Sequence, residues 1–241
     1  SCTNDEYIVE PNIEQLISCH DFDREAINKY YSSIMEVKAT SKKGNNRSLY
    51  HVVGTGRTLG GFNAFYKVRD VYESYIDKKS IMPWYFKRDV NEGGYKINQD
   101  YTFKQNQNKV FNGERNYKVP MGIQDMVSSF YKARTLNFND MKKGKTFEFK
   151  CFMDDEIYNL KIKYVGDEQI KIRKGTFKCH KFLPVVQTGR YFEDEEDVQF
   201  WITADKNKIP VLIKAKIPVG TVKMHLVEWS GLRNKLSSKV K

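Results

Sequence analysis

The stretch His51–Gly61, HVVGTGRTLGG, decides between two fold classes. A dinucleotide site needs GxGxxG between a strand and a long helix, and a phosphate loop needs GxxxxGK followed by Ser or Thr. Gly54, Gly56, Gly60 and Gly61 meet neither spacing. The next residues, FNAFYKV (62–68), are too few for the required helix before RDVYESYID (69–77) resumes a two-residue alternation. The expectation is therefore a strand, SLYHVVGTG, running into a bend or bulge at the glycines, with no phosphate bound there.

Working outward, RDVYESYID and MPWYFKRDV read as a hairpin, and the NEGG turn at Asn91–Gly94 leads into YKINQDYTF. NKVF follows before Asn112 and Gly113. These turn residues adopt the positive φ that a chain reversal requires. Beyond residue 145, TFEFKCFM, YNLKIKYVG, EQIKIRKG, TFKCHKFLPVV, DVQFWITAD, PVLIKAKIPVG and TVKMHLVEW give seven more strand-like segments with short links. Regular strands with tight turns predict a mainly β protein, an antiparallel meander forming a curved open sheet or flattened barrel.

One segment breaks the alternation. In IQDMVSSFYKARTL the apolar residues Ile123, Met126, Val127, Phe130, Tyr131 and Leu136 follow three-four spacing, which predicts an amphipathic helix at about 123–136. Asp125 at its start and Lys132 and Arg134 at its end complement the helix dipole. In DFDREAINKYYSSIM a second stripe (Phe22, Ala26, Ile27, Tyr30, Tyr31, Ile34) predicts an N-terminal helix that gives way to a strand near Ser33. The organisation expected is an extension over 1–30, a single β-rich domain over 31–232 and a basic tail over 233–241.

The 241 residues are 40% hydrophobic, enough for a real core, and no apolar run approaches the roughly 18 residues of a spanning helix. Forty-one Lys and Arg against 30 Asp and Glu leave a net charge of +11, which favours anionic partners. Nine of the basic residues follow Asp205; they are expected on solvated strand faces and in a frayed tail, RNKLSSKVK. Nucleic acid is not expected as a partner, because the aromatic residues are spread along every strand as core building requires.

No motif for catalysis, metal or cofactor emerges. There is no GxSxG or HExxH, and His51, His180 and His225 lie on strands as structural residues. Cys19-His20 and Cys179-His180 point to opposite strand faces and are poor zinc ligands. A Cys151–Cys179 disulfide is compatible with an oxidising compartment. Cys2, behind a single serine, is compatible with a lipoprotein processing site, any signal peptide having been removed. The acidic groups Asp154–Glu156 and Glu193–Asp197 lack calcium-loop spacing and read as solvated turns. Arg69, Asp70, Glu73, Arg88, Asp89 and Glu92 are placed to form charge pairs across a hairpin.

YHVVGTGRTLGGFNAFYKVRDVYESYID, PWYFKRDVNEGGY, QDMVSSFYKARTL, YVGDEQIKIRKGTFKCHKFLPVV and WITADKNKIPVLIKAKIPVGTVKMHL together resemble the bacterial exported family called domain of unknown function 3108. The resemblance spans roughly Leu49 to Leu232, and the VRD, EGG and N-x-IPV-x-I elements are its most specific marks. It implies export to the Gram-negative envelope, with a periplasmic or outer-membrane-associated place, and it implies no activity. Family members open with a Gly-Glu strand that has no counterpart before Tyr31, which leaves the sheet edge to the N-terminal helix. In outline the pattern is also similar to the half-barrel lipoprotein carriers of the envelope.

The functional expectation is a non-enzymatic envelope protein whose curved sheet binds a hydrophobic, lipid-like ligand or an envelope partner, peripheral to the membrane. Arg69, Asp70, Trp84, Arg88, Glu92 and Trp201 are its candidate ligand residues, with rim Lys and Arg meeting anionic head groups. The alternatives are an enzyme acting on an envelope glycan or lipid, with Arg69, Asp70, Arg88 and Glu92 converging, and a structural assembly component.

Overall fold

The computed structural model describes residues 15–22, 29–59, 67–138, 141–185, 198–217 and 220–240. Eight of its strands come before the helix in one run: β1 (Gln15–Phe22), β2 (Lys29–Lys38), β4 (Arg47–Thr58), β5 (Val68–Asp77), β6 (Pro83–Glu92), β7 (Tyr95–Lys104), β8 (Lys109–Phe111) and β9 (Asn116–Lys118). A two-residue strand, β3 (Lys43–Gly44), pairs β4 at the side. Helix α1 (Met126–Arg134) follows. Six strands complete the chain: β10 (Thr146–Met153), β11 (Glu156–Ile172), β12 (Gly175–Val185), β13 (Val198–Thr203), β14 (Pro210–Ile217) and β15 (Gly220–Ser230).

Both runs are antiparallel meanders, and the pairing of β15 with β1 joins them into one curved sheet. Among the described residues β9 and β10 are the sheet's two ends. Helix α1 spans the sequence between them, and a parallel bridge from Gln124 to Cys151 ties its entry to β10. Three hairpins turn through two residues that both have positive φ: Asn45-Asn46, Gly93-Gly94 and Asp154-Asp155. That is the mirror-image turn whose twist matches paired strands.

The first two glycines of the stretch do not form a bend. Gly54 and Gly56 lie inside β4, in unbroken register with β2 and β5. A side chain on Gly54 would meet the Met35 Cε from the next strand at 3.4 Å, an ordinary contact. Gly60, Gly61 and FNAFYK (62–67), apart from Lys67, lie outside the described residues.

The helix begins later than the stripe suggests. Asp125 accepts the Ser128 N–H at 2.6 Å while the Ser128 hydroxyl accepts the Asp125 N–H at 2.8 Å, a reciprocal cap that fixes the first turn. At its other end the Lys208 ammonium donates to the carbonyls of Arg134, at 2.9 Å, and Leu136. The expected N-terminal helix is corrected where it is described: Lys29–Lys38 is strand, and Gln15–Phe22 is a strand inside the sheet and not part of an extension. Alternation in KYYSSIMEVK, with partners on both sides, outweighs the helical stripe. Of the seven later segments, YNLKIKYVG and EQIKIRKG fuse into the single long β11, its register shifted at Gly166, where φ is +142°.

The core has three parts. Val52, Ile76, Phe86, Tyr101, Phe103, Ile123, Val127 and Phe152 pack between β4–β8, α1 and β10. Phe177, Cys179, Trp201, Val211 and Leu226 form a second cluster, and Met35 touches both. A third, Phe138, Tyr164, Phe182 and Ile202, lies under the segment after α1.

The basic tail is docked and not frayed. Ser238 donates its N–H to Asp205 at 3.1 Å and accepts that of Lys178 at 2.8 Å, Val240 donates to Thr176, and Leu232 and Leu236 pack on the second cluster. Cys151 and Cys179 are buried free thiols, so the disulfide is not formed. Burial pushes both up to about 12. Cys2 and the run Glu193–Asp197 lie outside the described residues.

Candidate functional site

Strand alternation puts Asp70 and Tyr72 of β5 and Arg88 and Val90 of β6 on the same face, and the register sets Tyr72 opposite Arg88 and Asp70 opposite Val90. Glu92 is then the diagonal neighbour of Asp70, and the two carboxyl groups interact directly. On the far side of β6, Gln99 of β7 stands opposite Arg88. On the near side, Gly56 and Gly54 of β4 stand opposite Asp70 and Tyr72. Asp70 also accepts the N–H of Asn91 at 3.2 Å.

The β10–β11 turn closes over this face from 66 residues away. Asp154 accepts from an Arg88 Nη2 and, at 3.3 Å, from the Gln99 Nε2. Its neighbour Asp155 accepts from the Tyr101 hydroxyl at 3.1 Å and from Asn112 at 3.0 Å. The expectation of a solvated acidic turn is corrected here, since both carboxylates clamp β6–β8. Positive φ at two aspartates costs less than at other non-glycine residues, and these four contacts offset it.

Two polar atoms of the cluster have no hydrogen-bond partner among the described residues: the Arg88 Nε and the Gln99 Oε1. Arg88 is only 6% exposed. A buried donor and a buried acceptor left open on side chains that share one carboxylate are costly unless something completes them. Burial and the adjoining Asp70 raise the Glu92 carboxyl above the usual range. Burial, with Asp70 nearby, pushes the Tyr72 phenol up to about 12.

Of the six candidate residues, Asp70, Arg88 and Glu92 come together and three lie elsewhere. Arg69 is on the opposite face of β5, donating to the carbonyls of Thr58 and Val68. Trp84 is at the register shift of β6, where its ring covers Gly44. Trp201 is buried in the second core cluster, its Nε1 donating to Glu168 at 2.8 Å, with the ammonium groups of Lys181 and Lys214 each 4.9 Å from its ring. The expected charge pairs across the β5–β6 hairpin do not form: Arg88 pairs with Asp154, and Glu73 with His51 at 2.6 Å.

Tyr72, Gln99 and Asp154 are additional members of the cluster. Tyr72 and Gln99 follow from period-two alternation once the register is known. Asp154 carries no sequence signal, because only tertiary folding brings its hairpin to β6. Among the described residues no group of three or more His, Cys, Asp or Glu is placed to hold a metal ion.

A family described as "Protein of unknown function (DUF3108)" matches residues 29–227, most of the chain and all of β2–β14. The chain belongs to the DUF3108 family. The Asp70–Arg88–Glu92 cluster and the Asp154 turn both lie within the matched DUF3108 region. No curated protein matches this DUF3108 chain. Among solved structures it is similar to a beta-barrel-like protein of domain of unknown function DUF1849 from Brucella abortus, with a TM-score of 0.57 and 9% identity over 90% of this chain and 97% of that one. At that identity the likeness is one of fold alone: two curved β proteins with the same general path.

Proposed function

We propose that this DUF3108 protein is a non-catalytic binding protein of the cell envelope, which takes a lipid-like molecule on the β4–β7 face. The observation that carries this reading is the pair of open hydrogen-bonding atoms, the Arg88 Nε and the Gln99 Oε1, beside half-buried Tyr72, Ile97 and Met35. Apolar side chains next to a few convergent polar groups are the general make-up of a small-molecule site. The envelope location is supported by the export that the family resemblance implies, and peripheral membrane association goes with it.

An enzyme acting on a glycan or lipid is the second reading, favoured by Asp70, Arg88 and Glu92 sharing one face. Against glycoside cleavage stands the direct interaction of the Asp70 and Glu92 carboxyl groups. Glycosidases hold their two carboxyl groups roughly 5 Å or more apart, to admit the sugar carbon or a water between them.

The test is native mass spectrometry of the protein purified gently from its own envelope, compared with its denatured mass. Extra mass released on denaturation is the expected result and identifies the ligand. A bare polypeptide mass in both conditions overturns the binding reading.

A further inference from the structure

Resting on that reading, we infer that the polar end of the ligand is a neutral, hydroxyl-bearing group such as a saccharide or polyol, held at Arg88 and Gln99. The open Arg88 Nε is a donor only and the open Gln99 Oε1 an acceptor only. Both side chains bind the same Asp154 oxygen from facing positions on adjacent strands, so the two open atoms belong to one small site. A hydroxyl accepts from one and donates to the other. A carboxylate or phosphate accepts only and leaves Gln99 unmet, while an ammonium donates only and leaves Arg88 unmet.

Charge argues the same way. The guanidinium of Arg88 is already paired with Asp154, and Asp70 and Glu92 add a second acidic pair on the same face. An anionic head group would meet three carboxyl groups and one committed cation. That reverses the expectation of anionic head groups at this face, which followed from the overall +11. Of the basic residues after Asp205, Lys208 sits on the end of α1, Lys214 on Trp201 and Lys239 on Trp229, away from this face. Tyr72 supplies an apolar ring beside the cluster, and Asp70 and Glu92 offer further acceptors for ligand hydroxyls.

The experiment compares three probes with the same eight-carbon chain, each below its micelle concentration: octyl glucoside, octanoate and octylammonium. Binding to the full chain is followed by isothermal calorimetry, with Gln99→Leu and Arg88→Lys as variants. The expected result is octyl glucoside bound at least about tenfold more tightly than either charged probe. The Gln99→Leu variant, whose half-buried site tolerates an apolar replacement, should lose most of that preference while its thermal unfolding stays close to wild type. Octanoate or octylammonium binding as tightly as the glucoside overturns this inference and leaves the binding reading standing. A glucoside preference that survives Gln99→Leu also overturns it, because the sugar then sits elsewhere. Failure of all three probes, with no mass lost on denaturation, removes the binding reading itself.

Discussion

Asp77, at the end of β5, is clamped by the Arg47 guanidinium from the start of β4, one nitrogen of which lies 2.8 Å from its Oδ1. The same carboxylate accepts the N–H groups of Lys79 and Ser80, each at 2.8 Å, and so closes the turn into β6. Its side chain is 1% exposed.

Burial by itself would raise the Asp77 carboxyl, but Arg47 and the two N–H groups outweigh it and hold it at about 2, against an ordinary 3.8. A depressed carboxyl contributes stability that is present above the ordinary value and lost as pH falls through the folded one. With solvent screening on the half-exposed Arg47 side, the contribution is about 1–2 kcal/mol. Urea unfolding of wild type and Asp77→Asn between pH 2 and 6 should give a difference that is full above pH 4 and shrinks toward pH 2. A pH-independent difference would contradict this.

Asp125 works in the opposite sense. It is buried at the start of α1 with the Ser74 hydroxyl 2.6 Å from its Oδ2, and burial raises it to about 6 in spite of that bond and the cap. A raised carboxyl contributes stability that is present below the ordinary 3.8 and lost as pH rises through about 6. Relative to Asp125→Asn, wild type should lose stability as pH rises from 4 to 7. Asp125→Ala should be less stable than Asp125→Asn by roughly 1 kcal/mol or more, since it removes the cap. Chemical denaturation across that pH range measures both effects.

Two glycines should respond differently to alanine. A Cβ on Gly44 would lie 2.2 Å from the Cγ of Trp84, whereas one on Gly54 would meet Met35 at 3.4 Å, an ordinary contact. Gly44→Ala should cost roughly 1–3 kcal/mol and alter tryptophan fluorescence as Trp84 is displaced. Gly54→Ala should stay within about 1 kcal/mol of wild type. Thermal melts of the two variants side by side provide the comparison.

The docked tail predicts that removing residues 233–241 destabilises the protein. The loss should be roughly 2 kcal/mol or more, from Leu236 and the hydrogen bonds of Ser238 and Val240. The Lys178 amide, which donates to Ser238, should then exchange faster with deuterium. An unchanged melting temperature and unchanged exchange would restore the frayed reading.

The local patterns of the chain determined a great deal. Period-two alternation in VRDVYESYID and PWYFKRDV placed β5 and β6, the glycine pair of NEGG placed their next turn, and the three-four stripe with Asp125 and Lys132 placed α1. These are short-range effects: backbone conformation at a turn, and the geometric period of one element against a core. The same alternation put Asp70, Arg88 and Glu92 within reach of one another.

The remaining features depend on contacts between distant segments. The strands at Gln15–Phe22 and Lys29–Lys38 hold because partners on both sides satisfy their backbones, which a local helical stripe does not register. The fusion of two segments into β11 needs the shift at Gly166, and the fixed tail needs Asp205, 33 residues before Ser238. Asp154 reaches Arg88 only because the sheet curls until its second run lies over its first. A hydrogen bond or ion pair between residues tens of positions apart leaves no periodic trace in the chain, so the sequence alone determined the strands while the curl of the sheet decided which side chains share a site.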